Sequence, residues 1–161
     1  MDIFINMKNL QNIFNFITDK RGYKPPTYYK LINNIPLTDD ELIINDNVYL
    51  IGKKLISLPD NLKINGFLDL YNSDIQSLPQ NLYVERYLDV THTNLTSLPD
   101  NLYVGGNLLI INTQISSIPN NLIIKGNIYM KNTPLHKNTP KFQIYKMIYD
   151  KGGKFTGQIN G

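Results

Sequence analysis

The sequence predicts a mainly β repeat solenoid of about five coils, with helical caps at its N- and C-terminal ends. Three observations lead to this prediction. A Ser-(Leu or Ile)-Pro step recurs every 20 residues between Ser57 and His136 without a slip. Each repeat contains two short runs in which apolar residues alternate with other residues. The segments before and after the repeats show helical spacing of apolar residues instead.

Each repeat carries apolar residues at the same six positions, counted from the serine that opens it. In the third repeat these residues are Leu98, Leu102, Val104, Leu108, Ile110 and Ile115. Two alternating runs within one repeat predict two short strands, each with one face turned inward. A single coil cannot bury these side chains alone, but stacked coils cover one another.

Prolines and glycines mark the places where the chain bends. Proline fixes its own backbone and biases the preceding residue towards extended geometry, so the proline of each repeat predicts a corner and not a helix. Glycine between the two strands predicts a second bend. The residues are Pro59, Pro79, Pro99, Pro119, Gly66, Gly105, Gly106 and Gly126.

Two polar columns follow the second strand of each repeat. The first column holds Asn72, His92, Asn112 and Asn132. The second column holds Ser73, Thr93, Thr113 and Thr133. We expect the stacked side chains to bond to the backbone of the turn or to each other.

The run Leu108-x-Ile110-x-x-Thr113-x-Ile115-x-x-Ile118-Pro119 and its equivalents resemble the LxLxxNxLxxLP core of the leucine-rich repeat. Their length and Leu-Pro step look most like the short repeats of secreted bacterial effectors, and similar repeats occur in bacteriophage and large-virus proteins. This chain departs from the family at two positions: Ser or Thr replaces the family asparagine, and a leucine is replaced by Asn65, Glu85, Gly105 and Lys125. A flatter, two-sheet β-solenoid is the alternative geometry.

The N-terminal segment, residues 1–34, predicts a helical cap. Residues 3–18 have the apolar spacing of an amphipathic helix. Thr27, after Pro25-Pro26, is a plausible cap for a second, short helix. Residues 35–56 match the repeat with three extra residues after Pro36. We therefore expect a degenerate first coil and a solenoid that spans 35–136.

The C-terminal segment, residues 137–161, predicts a helix followed by a strand. Thr139 suits a helix cap and Pro140 a first helical residue, while Gly152-Gly153 suits the helix end. The alternating residues that follow predict a strand that caps the far end and covers its edge. The chain, 1–161, has the size of a single domain.

The composition excludes several classes of function. The chain has no cysteine, which excludes disulfides, a thiolate nucleophile and cysteine-bound zinc. The N-terminus lacks a signal peptide, and no apolar run approaches the roughly 20 residues that cross a bilayer. We expect a cytoplasmic protein that has no membrane partner. The many Asn, Ile, Lys and Tyr residues follow AT-rich codons and are compatible with a phage, a giant virus or an AT-rich microbe.

Few residues in the chain carry catalytic chemistry. The histidines are His92, in the asparagine column, and His136, after the last strand; neither has neighbours at metal-ligand spacing. Asp69 and Asp89 occupy the same position in successive repeats. Stacking alone explains that pair, and a weak cation site is the alternative. We expect no enzymatic activity, no cofactor and no metal.

The outward positions of the second strand carry more aromatic and aliphatic residues than solubility requires. The candidate partner-binding residues are Tyr49, Phe67, Tyr71, Tyr87, Leu109, Ile111 and Tyr129. Ile51, Asp69, Asp89, Thr91 and Lys131 are predicted on the same face. Such patches mark protein contacts. The competing explanation is that β-propensity and cross-strand stacking of tyrosines stabilise the sheet.

The sequence leaves three functions open. The first is a non-enzymatic binding protein that docks a protein partner through this face, for example a phage- or virus-encoded inhibitor of a host defence protein. The second is a self-assembling structural component that forms homo-oligomers. The third is nucleic-acid binding through the basic C-terminal end, since residues 125–161 carry seven lysines and one aspartate. Its candidate residues are Lys137, Lys141, Lys146, Lys151 and Lys154.

Overall fold

The computed structural model of the protein describes residues 26–161. The predicted helix over residues 3–18 lies outside the described residues. In chain order the elements are α1 (Thr27–Ile32), a 3-10 turn (Asp39–Leu42), β1 (Ile43–Ile44), β2 (Val48–Tyr49), β3 (Lys63–Ile64), β4 (Leu68–Asp69), β5 (Tyr83–Val84), β6 (Leu88–Asp89), β7 (Tyr103–Val104), β8 (Leu108–Leu109), β9 (Ile123–Ile124), β10 (Ile128–Tyr129), α2 (Pro134–Asn138), α3 (Lys141–Asp150), β11 (Lys154–Phe155) and β12 (Ile159–Asn160).

The fold is a β-solenoid with two parallel sheets. Within residues 26–161, the odd-numbered strands form the first sheet and the even-numbered strands form the second, with six strands in each. Neighbouring strands pair in register, so Leu88 lies between Leu68 and Leu108. The four repeats make four turns, and one strand pair precedes them while another follows. This is the two-sheet geometry that the sequence left open as an alternative.

The apolar positions of the repeats form the core, as predicted. All six positions of each repeat are buried, and they belong to one cluster that runs from Leu31 to Ile159. Each strand is only two residues long, so the strands alone do not supply the whole core. The buried side chains come from both sheets and from the extended Leu-Pro segment. Packing between turns therefore holds the solenoid together.

Two corners of every turn pass through the left-handed backbone region. The residues are Asn61, Asn81, Asn101 and Asn121 at one corner, and Asn72, His92, Asn112 and Asn132 at the other, with φ between 54° and 62°. Gly152 and Gly52 continue these columns at their ends, with φ of 75° and 63°. Side chains other than glycine and asparagine are disfavoured in this region because their Cβ crowds the carbonyl.

The asparagines of each corner form a ladder of side-chain hydrogen bonds. Asn101 Nδ2 donates to Asn81 Oδ1 at 3.2 Å, and Asn121 Nδ2 donates to Asn101 Oδ1 at 2.9 Å. At the other corner, Asn132 Nδ2 donates to Asn112 Oδ1 at 2.7 Å, and Asn112 Nδ2 donates to His92 Nε2 at 3.1 Å. This confirms the stacking predicted for the second corner. The first ladder was not predicted.

The threonine column bonds to the backbone, as predicted. Thr93, Thr113 and Thr133 each donate from Oγ1 to the carbonyl oxygen three residues earlier, at 2.7, 2.8 and 2.9 Å. The threonines are buried, so these bonds satisfy hydroxyls that cannot reach water. Ser73, in the same column, is also buried, but its hydroxyl has no partner among residues 26–161.

The chain after the repeats differs in detail from the prediction. The long helix α3 begins at Lys141, with Pro140 in the cap position and no capping side chain, so Thr139 is not its cap. The same holds for α1, where Pro26 precedes the first helical residue, Thr27. The predicted cap Thr27 is one residue too late, and the predicted cap Thr139 is one residue too early because Pro140 lies at the cap and not at the first helical position.

Helix α2 was not predicted, because residues 134–138 continue the repeat pattern. Thr133 begins it by accepting the His136 backbone N–H at 3.1 Å. After α3, the chain adds a strand to each sheet and not a single last strand. Tyrosines of α3 contact these outermost strands: Tyr149 Oη donates to the Phe155 carbonyl at 2.8 Å, and Tyr145 Oη accepts the Ile159 N–H at 3.2 Å.

The left-handed corner at Asn101 provides a test of what the asparagines contribute. We expect Asn101→Ala to lower the free energy of unfolding by about 1–2 kcal/mol, because alanine is strained at this φ and the ladder is interrupted. We expect Asn101→Gly to cost less, since glycine adopts this φ freely. Urea unfolding followed by circular dichroism measures both changes.

The matched control is Asn94→Ala, since Asn94 is exposed and lies outside the left-handed corners. We expect this change to leave stability within about 0.5 kcal/mol. Equal losses for the glycine and alanine variants of Asn101 would instead assign the stabilisation to the side-chain ladder.

Candidate binding face of the second sheet

The outer side of the second sheet carries three columns of side chains, which we call the aromatic face. Strand register aligns Tyr49, Asp69, Asp89, Leu109, Tyr129 and Asn160 in the central column. The column two residues earlier includes Phe67 and Tyr87. The column two residues later includes Ile51, Tyr71, Thr91, Ile111 and Lys131. All these side chains point outward because alternate residues of a strand face opposite sides of the sheet.

The structure brings all seven predicted binding residues together on this face. The two most exposed are Tyr49 and Tyr71, at 54% and 42%, and Ile51 beside them is 49% exposed. The remaining predicted residues are half-buried: Phe67, Tyr87, Leu109, Ile111 and Tyr129. The exposed apolar surface is therefore concentrated at the β2 and β4 end of the sheet.

The aromatic rings on the face stack along the solenoid axis. The Tyr49 and Phe67 rings meet edge to face with centroids 4.8 Å apart. Phe67 and Tyr87 stack at 4.4 Å and 12°. The Tyr71 ring meets His92 of the next turn edge to face at 5.5 Å. Such pairs contribute about 0.5–1.5 kcal/mol each, so stacking accounts for the half-buried rings but not for the exposure of Tyr49.

Thr91 departs from the prediction that it is exposed on this face. Its side chain is only 7% exposed, because this short residue lies between Tyr71 and Ile111 of the neighbouring turns. Its Oγ1 has no hydrogen-bond partner within the described part of the chain. An unpaired buried hydroxyl costs free energy, and Thr91 shares this feature with Ser73.

Asp69 and Asp89 lie side by side in the central column. Asp69 Oδ1 accepts the Tyr71 N–H at 3.0 Å, and Asp89 Oδ1 accepts the Thr91 N–H at 2.8 Å. Burial raises the pKa of Asp69; the bond from Tyr71 opposes this shift, and the charge of Asp89 adds to it. Burial also raises the pKa of the Tyr87 phenol, with Asp69 as the next cause.

No cation compensates this pair within residues 26–161. The ion pairs in that range are Lys30–Glu41 and Lys146–Asp150, which lie elsewhere. In the same range, no group of three or more His, Asp or Glu side chains is arranged to hold a metal ion. Solvent and uncharged side chains therefore surround the carboxylates.

The outer side of the first sheet is different, because lysines cover its aromatic rings. Tyr83 and Tyr103 stack at 4.3 Å and 3°. Lys63 Nζ lies 5.0 Å from the Tyr83 ring centroid, and Lys125 Nζ lies 5.4 Å from that of Tyr103. The Tyr83 hydroxyl donates to Glu85. Charged side chains here find partners inside the protein, which makes this side a poorer candidate for docking.

The lysines of the predicted basic end are all exposed. Two of them have internal partners, since Lys146 pairs with Asp150 and Lys151 Nζ donates to the Ile118 carbonyl at 2.6 Å. Helix α3 and the segments on either side of it hold these lysines, so they lie outside the strands that build the aromatic face. The basic end and the aromatic face are separate surfaces.

The sequence did not predict that the C-terminal residues of the chain border the aromatic face. Asn160 and Gly161 join Ile111, Tyr129 and Lys131 around a shallow recess of about 210 Å³ at the far end of the face. The alternation from Phe155 to Ile159 indicated a strand, but not that Asn160 continues the central column.

Comparison of the chain with protein-family models, curated proteins and solved structures finds no match. The leucine-rich-repeat resemblance therefore stays a prediction. No helix within residues 26–161 has the length and apolar character needed to cross a membrane.

The raised pKa of Asp69 predicts how its removal changes stability with pH. A raised folded-state pKa means that Asp69 favours folding most below its unfolded pKa near 3.8, and that this contribution is lost as the pH rises through the folded value. Asn keeps the acceptor for the Tyr71 N–H and removes the charge. We expect Asp69→Asn to raise the free energy of unfolding at pH 7 by up to about 1 kcal/mol.

The gain should disappear near about pH 3, where the wild-type carboxyl is protonated as well. Urea unfolding at both pH values measures it. Asp74→Asn is the matched control, because Asp74 is exposed and lies off the face. A gain that is equal at both pH values would show that charge is not its cause.

Proposed function

We propose that the protein is a non-enzymatic, leucine-rich-repeat-like binding protein that docks a protein partner through the aromatic face. The observation that carries this proposal is the contiguous exposure of Tyr49, Ile51 and Tyr71, at 54%, 49% and 42%. Tyrosine and exposed apolar patches are typical of protein-protein contacts. Stacking within the sheet does not require these three side chains to face solvent.

The rigidity of the face supports the same function. Among the described residues, backbone pairing holds β4, β6, β8 and β10 in register on both sides and holds the edge strands β2 and β12 on one side, while the side-chain ladders hold the corners. Half-buried rings such as Phe67 and Tyr87 are already ordered against each other. A surface that is ordered before binding loses little conformational entropy when a partner docks.

The helical segments would serve as caps that keep the solenoid monomeric. A solenoid end presents unpaired strand edges and apolar side chains to other chains. At the C-terminal end, the hydroxyls of Tyr145 and Tyr149 occupy backbone groups of the last strands, and Ile144 and Ile148 are buried. A covered C-terminal end leaves the sheet face as a surface for association.

An inhibitor of a host protein, encoded by a phage or virus, is one form of this proposal. The AT-rich residue usage and the resemblance of the repeats support it. Self-assembly through the aromatic face is the competing function, and a mass that rises with concentration in light scattering would favour it.

Matched substitutions test the proposed face. We expect Ile51→Glu and Tyr71→Glu to abolish capture of the wild-type protein's stoichiometric partner from a lysate of the expressing cells. The controls are Ile43→Glu and Tyr28→Glu, which are 49% and 41% exposed and lie off the aromatic face. We expect both controls to retain the partner, because they add the same charge at equal exposure.

Circular dichroism melting of all four variants establishes that they are folded. Equal retention by all four folded variants would disprove the aromatic face as the docking site. Light scattering of the same samples separates loss of a partner from loss of self-association.

A further inference from the structure

We infer that the partner presents an arginine whose guanidinium binds the Asp69–Asp89 carboxylate pair on the aromatic face. This inference rests on the proposed function, because it specifies the chemistry of the protein that docks there. It assigns a role to a pair of charges that the fold itself does not require.

The two carboxylates are placed to act together. They occupy equivalent positions in neighbouring strands, whose spacing in a sheet is about 4.8 Å. The hydrogen bonds from Tyr71 and Thr91 use one oxygen of each carboxylate, Oδ1. The Oδ2 atoms accept no hydrogen bond from residues 26–161 and remain free for an incoming donor. A guanidinium has five N–H donors, enough to reach both.

The pair carries a charge that the isolated protein does not balance. The other charged side chain of the face is Lys131, in the turn that holds β10, two turns from Asp89 and three from Asp69. At about 4.8 Å per turn, Lys131 is roughly 10 Å or more from either carboxylate, beyond ion-pair distance. A cation from the partner relieves this repulsion on binding. A partner with a positive charge at this place therefore binds in preference to one without it.

A separate observation points to the same kind of ligand. The Thr91 hydroxyl is in the same turn as Asp89, is only 7% exposed, and has no hydrogen-bond partner among the described residues. Its oxygen is an acceptor, as are the carboxylates. A donor-rich ligand at this place would satisfy both carboxylates and offer the hydroxyl a partner, whereas an apolar ligand would satisfy none of the three groups and an acidic ligand would add a like charge beside the pair.

The rings around the pair favour arginine over lysine. Tyr49 is in the central column next to Asp69, and the stacked Phe67 and Tyr87 lie in the column beside it. Tyr87 is two residues before Asp89 on the same side of the sheet, and burial followed by the charges of both aspartates raises the pKa of its phenol. A planar guanidinium stacks on aromatic rings while donating to carboxylates, which a compact ammonium does less well.

Face-to-face contact between the aromatic faces of two copies does not meet this requirement. The aromatic face has no arginine, so two such faces in contact place no guanidinium on the aspartates. Arg86, the only arginine among residues 26–161, is at the bend before Tyr87. Face-to-face contact of two copies therefore leaves the aspartates without a guanidinium, which favours a different protein that carries its own arginine as the occupant.

The test uses N-acetyl-argininamide as a probe in a ¹H–¹⁵N NMR titration of the full chain at physiological salt. N-acetyl-citrullinamide is the neutral control with the same shape, and N-acetyl-lysinamide tests the guanidinium itself. We expect the backbone amide signals of Tyr71 and Thr91 to shift and saturate with the arginine probe, and the affinity to exceed that for either other probe roughly tenfold.

We expect Asp69→Asn combined with Asp89→Asn to remove the preference, and Asp74→Asn to leave it intact. The asparagines keep acceptors for the Tyr71 and Thr91 N–H groups, so the double variant should fold. Equal affinity for the arginine and citrulline probes, or a preference that survives the double variant, would overturn the inference. So would equal affinity for the lysine probe.

Partner capture separates this inference from the proposed function. Loss of capture both in Ile51→Glu and in the double aspartate variant supports both. If the double variant captures the partner as wild type does while Ile51→Glu does not, the arginine inference fails and the docking face stands. If Ile51→Glu also captures it, the proposed face is wrong.

Discussion

The backbone must enter the left-handed region twice in every turn, and the rest of the solenoid depends on this constraint. An L-residue there costs about 1–2 kcal/mol unless it is glycine or asparagine. The repeat meets the constraint with Asn101 and its equivalents at one corner and Asn112 and its equivalents at the other. Because asparagines of successive turns stack at these corners, their side chains also bond from turn to turn, with His92 taking one position. A slip by one residue would place a leucine in the corner and a polar residue in the core, so corner chemistry and hydrophobic burial select the same register.

The repeat period made the core and the strands predictable, but not the cross-section of the coil. Apolar residues at fixed positions show which side chains point inward, and the buried positions of the third repeat agree with this. The same pattern fits a curved coil with one sheet and a flatter coil with two, because periodicity carries no information about corner angles. Those angles depend on residues such as Asn101, which is adjacent to Leu102 and reads as an ordinary polar residue. Helix α2 was missed for a related reason: Thr133-Pro134 starts a helix within a segment that still matches the repeat.

The sequence predicted which side of the sheet each candidate residue faces, but not how far its side chain is buried. Alternation along a strand determines which side of the sheet a residue faces, and Tyr49, Tyr71 and Ile111 lie on the predicted side. How far a side chain is covered depends on the sizes of its neighbours in the turns before and after. Thr91 is buried between larger residues, whereas Tyr49, in the turn before the four full repeats, is more than half exposed at 54%. The exposed fraction of a side chain thus depends on its own turn and on the turns before and after it. The sequence of one repeat therefore does not predict it.

The acidic pair, Asp69 and Asp89, is unfavourable for the stacked fold. In-register stacking puts equivalent residues in contact, so a charge that recurs at one position of the repeat lies beside a like charge and is repelled by it. The next two turns avoid this with Leu109 and Tyr129 in the same column, which shows that the fold accepts neutral residues there. On the first sheet, Glu85 bonds to Tyr83, and Lys63 and Lys125 lie over tyrosine rings, so charges there are compensated internally. Asp69 and Asp89 alone combine like charge, partial burial and free carboxylate oxygens on the aromatic face. Burial disfavours the ionised form of Asp69, and no counter-charge within residues 26–161 offsets this. A cation supplied by a partner would therefore stabilise the ionised pair directly.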